Sequence, residues 1–214
     1  VEIGSYTINA VCGSGLKSVM NAADAIKAGE YKVIAAGGME SMSNAPYILD
    51  GARWGLKMND QPLVDAMVHD GLWDIFNNQH MGITGEIVAE RFKVTREDSD
   101  RMACDSNVKA AKAQAAGKFD KEIVPVVIKN KKGDITVDKD EGVRADTTME
   151  TLGALRPVFK KDGQVTAGNS SQLSDGASAL VVTSASWAKE HGKKPLAEIV
   201  AYGERGVKPE LIME

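Results

Sequence analysis

The sequence predicts an α/β fold: a partial core in which a mixed sheet packs with helices, interrupted by an inserted α+β loop domain. Three observations predict it. Residues 5–38 read as strand, helix, strand; residues 174–203 read the same way; and the long stretch between them keeps no sustained period. Residues 1–41 and 174–214 are therefore expected to form the partial core, and residues 42–173 the insertion.

The elements follow in order. Residues 5–11 form an apolar run flanked by Gly4 and a Cys-Gly-Ser-Gly turn, and read as a strand. From Leu16 to Ala28 the apolar positions Leu16, Val19, Met20, Ala23 and Ile26 recur at helical spacing, with Gly29 as a natural stop. "YKVIAAGG" is a second strand, so the three together predict a parallel βαβ unit. Residues 39–63 are rich in Gly, Asn, Pro and Met and read as loops at a possible subunit contact. "TREDSDRMACDSNVKAAKAQAAGKF" is the clearest helix, opened by a Thr95/Asp98 capping box and closed by Gly117. "EIVPVVIKNKKGDITVD" reads as a two-stranded hairpin whose Pro125 marks an edge. "ASALVVTS" then reads as a buried strand, "ASWAKEHG" as a short helix and "LAEIVAYG" as a last strand.

Composition narrows the function classes. The 214 residues are 43% hydrophobic and 26% charged, near the globular average, so neither disorder nor a membrane class is indicated. No apolar stretch approaches the roughly 20 residues that span a bilayer. A formal charge of -4 without a long basic block argues against nucleic-acid binding. The two cysteines, Cys12 and Cys104, form neither a CxxC nor a Cys/His cluster, so no metal site is expected and a reducing cytoplasm is the default.

Cys12 lies between the apolar run and the first helix. A buried small side chain and a nucleophile both fit that position. A helix start favours a thiolate through its free N–H groups, and Gly13 and Gly15 allow a tight turn that lifts the sulfur towards a ligand. The amide N–H of Cys12 could serve an oxyanion. On the residues alone the two readings stand side by side.

A resemblance decides between them. "NAVCGSGLKSV" with "VIAAGGMESMSNAPY", followed by "DGLWDIFNNQHMGITGEIVAERF", "REDSDRMA", "EIVPV", "KGDITVDKDE", "LRPVF" and "VTAGNSSQLSDGASALVV", resembles the thiolase family of acetyl-CoA C-acetyltransferases in order and spacing over the whole chain. The resemblance implies the N-terminal half of the thiolase fold. It makes Cys12 the residue acylated by one acyl-CoA before a second acetyl-CoA, as its enolate, attacks in a Claisen condensation. It places His80 and Met81 near the pantetheine and short acyl group, and Ser171 on a pantetheine amide. Arg144 and Thr151 match positions that contact the adenine nucleotide, while Leu72, Phe159 and Ala167 match pocket walls. Read as single residues, His80 is a structural histidine, Arg144 an exposed charge, Thr151 a helix cap, and Leu72, Phe159 and Ala167 core or wall residues. Cys104, His69 and His191 match no functional position. Lys129, Lys131 and Lys132 read as a solvated hairpin turn.

The resemblance also implies partners. Acetyl-CoA and acetoacetyl-CoA are the implied substrates, with coenzyme A a substrate rather than a cofactor. The family's Asn-Glu-Ala-Phe, Gly-His-Pro and Cys-x-Gly-Gly motifs do not occur in this sequence. The chain is therefore expected to be an internal piece, lacking first strands and a C-terminal half, with little turnover alone. The insertion is expected to bind coenzyme A and, through 42–63, to support a homodimer or homotetramer in lipid metabolism. Two alternatives stay open: a longer-chain 3-ketoacyl-CoA thiolase of β-oxidation, and a non-catalytic coenzyme A-binding or assembly subunit of a split enzyme. β-Ketoacyl synthases lack the "GGMESMSNAP" continuation and are set aside.

Overall fold

In a computed structural model, residues 3–214 are described. Helices and strands are mixed along the chain: α1 (Ser14–Lys27), β1 (Val33–Ser41), β2 (Tyr47–Ile48), β3 (Val64–Asp65), β4 (Trp73–Asp74), β5 (Gln79–His80), α2 (Met81–Phe92), α3 (Arg96–Ala115), β6 (Val126–Ile128), β7 (Ile135–Val137), α4 (Met149–Gly153), β8 (Asp175–Thr183) and α5 (Ala185–Glu190). Two compact units emerge. The first comprises Val1–Trp73 with Leu173–Val207, and the second Asp74–Gln172 with Lys208–Glu214. Residues 42–73 thus group with the chain's outer segments, and 208–214 with its middle, where the sequence draws its line at 42 and 173.

In the first unit α1 forms where its apolar positions share one face, with Ala22 and Ala23 buried. Its end is closed as the sequence predicts. Gly29 takes φ +79°, the Gly29 N–H donates to Ile26 O (3.1 Å) and the Glu30 N–H to Ala25 O (3.0 Å). β1 pairs antiparallel with β8, from Val33 opposite Thr183 to Ser41 opposite Asp175. Gly37 permits the close approach, since a Cβ there would lie 2.1 Å from the Ser178 carbonyl oxygen. Gly38 lets α1 down onto β1, and Ser18 Oγ donates to Gly37 O at 2.9 Å. Asp175 fastens the turn after β1: Ser43 N–H donates to it at 2.9 Å, and Ser43 Oγ donates as well. β2 pairs with β3, and the segment between them turns at Gly51 and Gly55, both at positive φ.

The parallel unit expected at the start of the chain is not what forms. Residues 5–10 make no ladder among the described residues, and neither do residues 196–203. An apolar run becomes a strand only when another edge takes up its N–H and C=O groups, which no local pattern specifies. β8 is present as predicted, yet Leu180 and Val181 are exposed rather than buried. Among the described residues β8 shares a sheet with β1 alone, and the helices of this unit do not cover those side chains.

In the second unit His80 caps α2, and Lys93 ends it in the left-handed region. Leu211 is buried in a turn at Pro209–Leu211 that packs with α2. The α3 capping box forms in full, with Thr95 N–H donating to Asp98 and Asp98 N–H to Thr95 Oγ1. The predicted hairpin pairs β6 with β7 around Gly133 at φ +120°. Lys129 in its turn pairs with Asp134 at 2.5 Å, as a solvated turn would. Among the described residues no helix is long and apolar enough to cross a membrane.

Candidate active site

The proposed nucleophile sits in a turn built by its neighbours. Cys12 is exposed, in the middle of a 3₁₀ turn (Val11–Gly13) that runs directly into α1. Val11 takes φ +50°, a rare conformation for a β-branched residue and so a point of backbone strain. The surroundings hold it there. Val11 N–H donates to Asn9 Oδ1 (2.8 Å), Ala10 N–H to Ser14 Oγ (2.9 Å), and Ser14 Oγ in turn to Val11 O (2.7 Å). Gly13 N–H closes the turn on Ala10 O at 3.0 Å. The result is a sharp entry to a helix with the thiol outward. Leu72, half-buried after the π-helical turn Met67–Gly71, belongs to the same unit.

The other candidate residues belong to the second unit. His80 Nδ1 accepts the Gly82 N–H at 3.0 Å, so the neutral ring carries its proton on Nε2. That ring stacks on Phe159 with centroids 4.6 Å apart, and Met81 follows as the first residue of α2. Gly82 makes room for the stack, because a Cβ there would sit 2.2 Å from the Phe159 ring. Asp74, buried, sets the approach to His80. It accepts from Asn77 Nδ2 (2.6 Å), the Phe76 N–H (3.0 Å) and the Asn77 N–H (3.3 Å), and these bonds, Asn77 side chain first, hold its carboxyl below the usual range.

Ala167 is exposed in a tight turn centred on Thr166, and Ser171 is exposed just beyond it. Thr166 is fully buried. Its Oγ1 accepts from the Gly168 and Asn169 N–H groups, and its carbonyl accepts from Ser170 Oγ. Thr151 lies in the capping box of α4, sharing hydrogen bonds with Thr148. Arg144 is exposed, with its backbone N–H on Asn107 Oδ1 at 2.9 Å. Cys104 Sγ contacts Thr147 O at 3.6 Å.

The structure thus stacks His80 on Phe159, with Met81 next in the chain, and sets Ala167 and Ser171 on one loop. Three buried or part-buried supports escaped the sequence reading. Glu86 accepts the Gln164 and Val165 N–H groups at 2.8–2.9 Å, Asp100 accepts from Arg96 and Asn169, and Ser14 ties the cysteine turn. Glu86 had a signal, a lone carboxylate between the apolar positions Ile83 and Ile87 of α2. Among the described residues no group of three or more His, Cys, Asp and Glu is placed to hold a metal ion.

The sequence pattern described as the thiolase N-terminal domain matches residues 1–186. An acetyl-CoA acetyltransferase of Cupriavidus necator is 52% identical over 211 residues, which cover 98% of this chain and 54% of that protein. A probable acetyl-CoA acyltransferase of Staphylococcus aureus is 49% identical with the same coverage. The crystal structure of the Bacillus anthracis acetyl-CoA acetyltransferase superposes with a TM-score of 0.93 at 43% identity, over 96% of this chain and 52% of that one. The chain spans about half the length of these relatives.

Proposed function

Since the chain belongs to the thiolase family through its N-terminal domain, we propose that it carries the acyl-accepting half of an acetyl-CoA acetyltransferase site. The observation that carries this reading is Cys12, exposed in a turn fixed by Ser14 and Asn9 at the head of a helix. In the first step the Cys12 thiolate adds to the thioester carbonyl of acetyl-CoA. The tetrahedral adduct collapses with loss of the coenzyme A thiolate, which takes up a proton, and acetyl-Cys12 remains. In the second, another acetyl-CoA gives up an α-proton, and its enolate attacks that acyl group in a Claisen condensation, giving acetoacetyl-CoA and returning the Cys12 sulfur as thiolate. Both proton transfers are assigned to groups outside this sequence, in the remaining half of the enzyme. The chemistry is polar throughout and needs no electron carrier, so coenzyme A enters as substrate and no cofactor is proposed.

In this reading residues 1–41 and 174–214 carry the nucleophile. Residues 42–173 bind coenzyme A thioesters, with Leu72, His80, Met81, Phe159 and Ala167 at the acyl and pantetheine end, Ser171 on a pantetheine amide, and Arg144 and Thr151 at the nucleotide. Exposed Trp54 and Met58 in the 49–63 segment support a homo-oligomer, dimer or tetramer. A nucleophilic thiol must stay reduced, which supports a cytoplasmic setting, and the reaction itself belongs to lipid metabolism.

The test is acetylation of the protein by acetyl-CoA, followed by peptide mass spectrometry. An acetyl adduct on Cys12, abolished in Cys12→Ser and kept in Cys104→Ser, is the expected result. Coenzyme A binding without any adduct, even with the remaining half of the enzyme supplied, would instead favour a non-catalytic binding subunit.

A further inference from the structure

The two segments assigned above to opposite ends of coenzyme A are joined by one ion pair. Asp100, on α3, is buried with 3% of its side chain exposed and divides its carboxylate between two partners. Oδ2 takes Arg96 Nε at 2.7 Å, and Oδ1 takes Asn169 Nδ2 at 2.9 Å. Asn169 is the centre of its loop: Nδ2 also donates to Gln164 O (2.9 Å), and Oδ1 accepts the Thr166 N–H (2.8 Å). Arg96 reaches the other way. Its Nη2 donates to Leu152 O (2.6 Å) and Leu155 O (3.1 Å), at the end of α4 and just after it. The loop also packs directly on this segment, since a Cβ on Gly168 would lie 2.5 Å from both the Leu152 and Leu155 side chains.

We propose that the Arg96–Asp100 pair is a bracket that fixes the separation of α4, with Thr151, from the 164–171 loop, with Ala167 and Ser171. Arg96 and Asp100 are then positioning residues for a coenzyme A thioester lying across both segments, a conclusion that rests on the coenzyme A reading above. The chemistry of the pair suits this task. A planar guanidinium can donate along several fixed directions at once, to a carboxylate and to two carbonyls, whereas an ammonium on a flexible stem cannot hold all three. A ligand bound at both ends gains from the fixed spacing, because its second end binds at high effective concentration once the first is in place. A ligand that touches one end gains nothing from it.

Arg96→Lys tests the bracket because it preserves the charge opposite Asp100. Binding of three probes is measured by calorimetry or ligand-observed NMR: coenzyme A, pantetheine, and adenosine 3′,5′-bisphosphate. The expected result is about tenfold weaker binding of coenzyme A with less than about twofold change for either half. Equal coenzyme A affinity in the variant and the parent overturns the bracket alone. Uniform weakening of all three probes also overturns it, since a general loss of structure would do the same. Failure of the unaltered protein to bind coenzyme A overturns the substrate reading, and the bracket's role with it. Should Arg96→Lys not fold, Asp100→Asn, which can accept from Arg96 or from Asn169 but not from both, interrupts the same link and is expected to give the same split.

Discussion

Gly82 and Gly85 are three residues apart on α2 and meet opposite surroundings. A Cβ on Gly82 would enter the Phe159 ring at 2.2 Å, whereas one on Gly85 would find Val165 Cγ2 at 3.4 Å and Met213 Sδ at 3.7 Å, ordinary contacts. Alanine at the first must push Phe159 away and with it the ring stacked on His80. Alanine at the second gains helix propensity and light packing. Gly82→Ala is therefore expected to destabilise by about 1–3 kcal/mol, and Gly85→Ala to stabilise by up to about 1 kcal/mol, in urea unfolding. The His80 ring resonances should move in Gly82→Ala and stay in Gly85→Ala. Equal effects of the two substitutions would show that the Phe159 stack is not a tight one. The same reasoning bears on the thiol: the strained Val11 backbone is tolerated because Asn9 and Ser14 answer the N–H and C=O groups around it.

At the level of elements, α3 begins with a charge whose titration can be followed. The Thr95 hydroxyl, then the Thr95 N–H, hold the Asp98 carboxyl below its ordinary 3.8, with Arg101 adding a smaller contribution. A carboxyl depressed in the folded state releases its proton more readily there than in the unfolded chain. Its stabilisation is complete above the unfolded pKa and disappears as pH falls through the lower, folded one. Asp98→Asn should flatten the pH dependence of the urea midpoint below about pH 4 relative to the parent, while Thr95→Ala should cost about 1 kcal/mol at neutral pH. Asp74 and Asp175 are depressed in the same direction, so each adds acid sensitivity of the same sign. Elements of this kind were legible in the sequence: the capping box of α3, the Gly29 stop of α1, the β6–β7 turn and α5 each depend on neighbours within a few residues. Residues 5–11 and 196–203 do not form the expected strands because a strand needs a ladder partner from outside its own segment, and none is supplied among the described residues. α2 was passed over because Gly82, Gly85 and Glu86 interrupt its apolar face. Cys12 stood out by its glycines, but the Asp100–Asn169 bond joins residues 69 apart, and no local pattern announces it.

The first unit leaves large apolar side chains open. Val181 and Leu180 of β8 are 74% and 52% exposed, and Met39 of β1, Leu196 and Val200 lie open as well. Among the described residues the buried apolar side chains are mostly alanines, so little of the hydrophobic driving force is satisfied there. Such a surface calls for cover, and in its absence copies of the chain will supply it to one another. β8 shares a sheet with β1 on one side, and Val181 stands on it, so association through this region is the expected route. The protein alone should enhance the fluorescence of an apolar dye such as ANS and sediment as larger species as its concentration rises. Val181→Lys should reduce both effects while leaving the far-ultraviolet circular dichroism unchanged, because a charge at an exposed strand position opposes edge association without touching a packed side chain. A monodisperse monomer that ignores the dye would show that these side chains find cover within the chain itself.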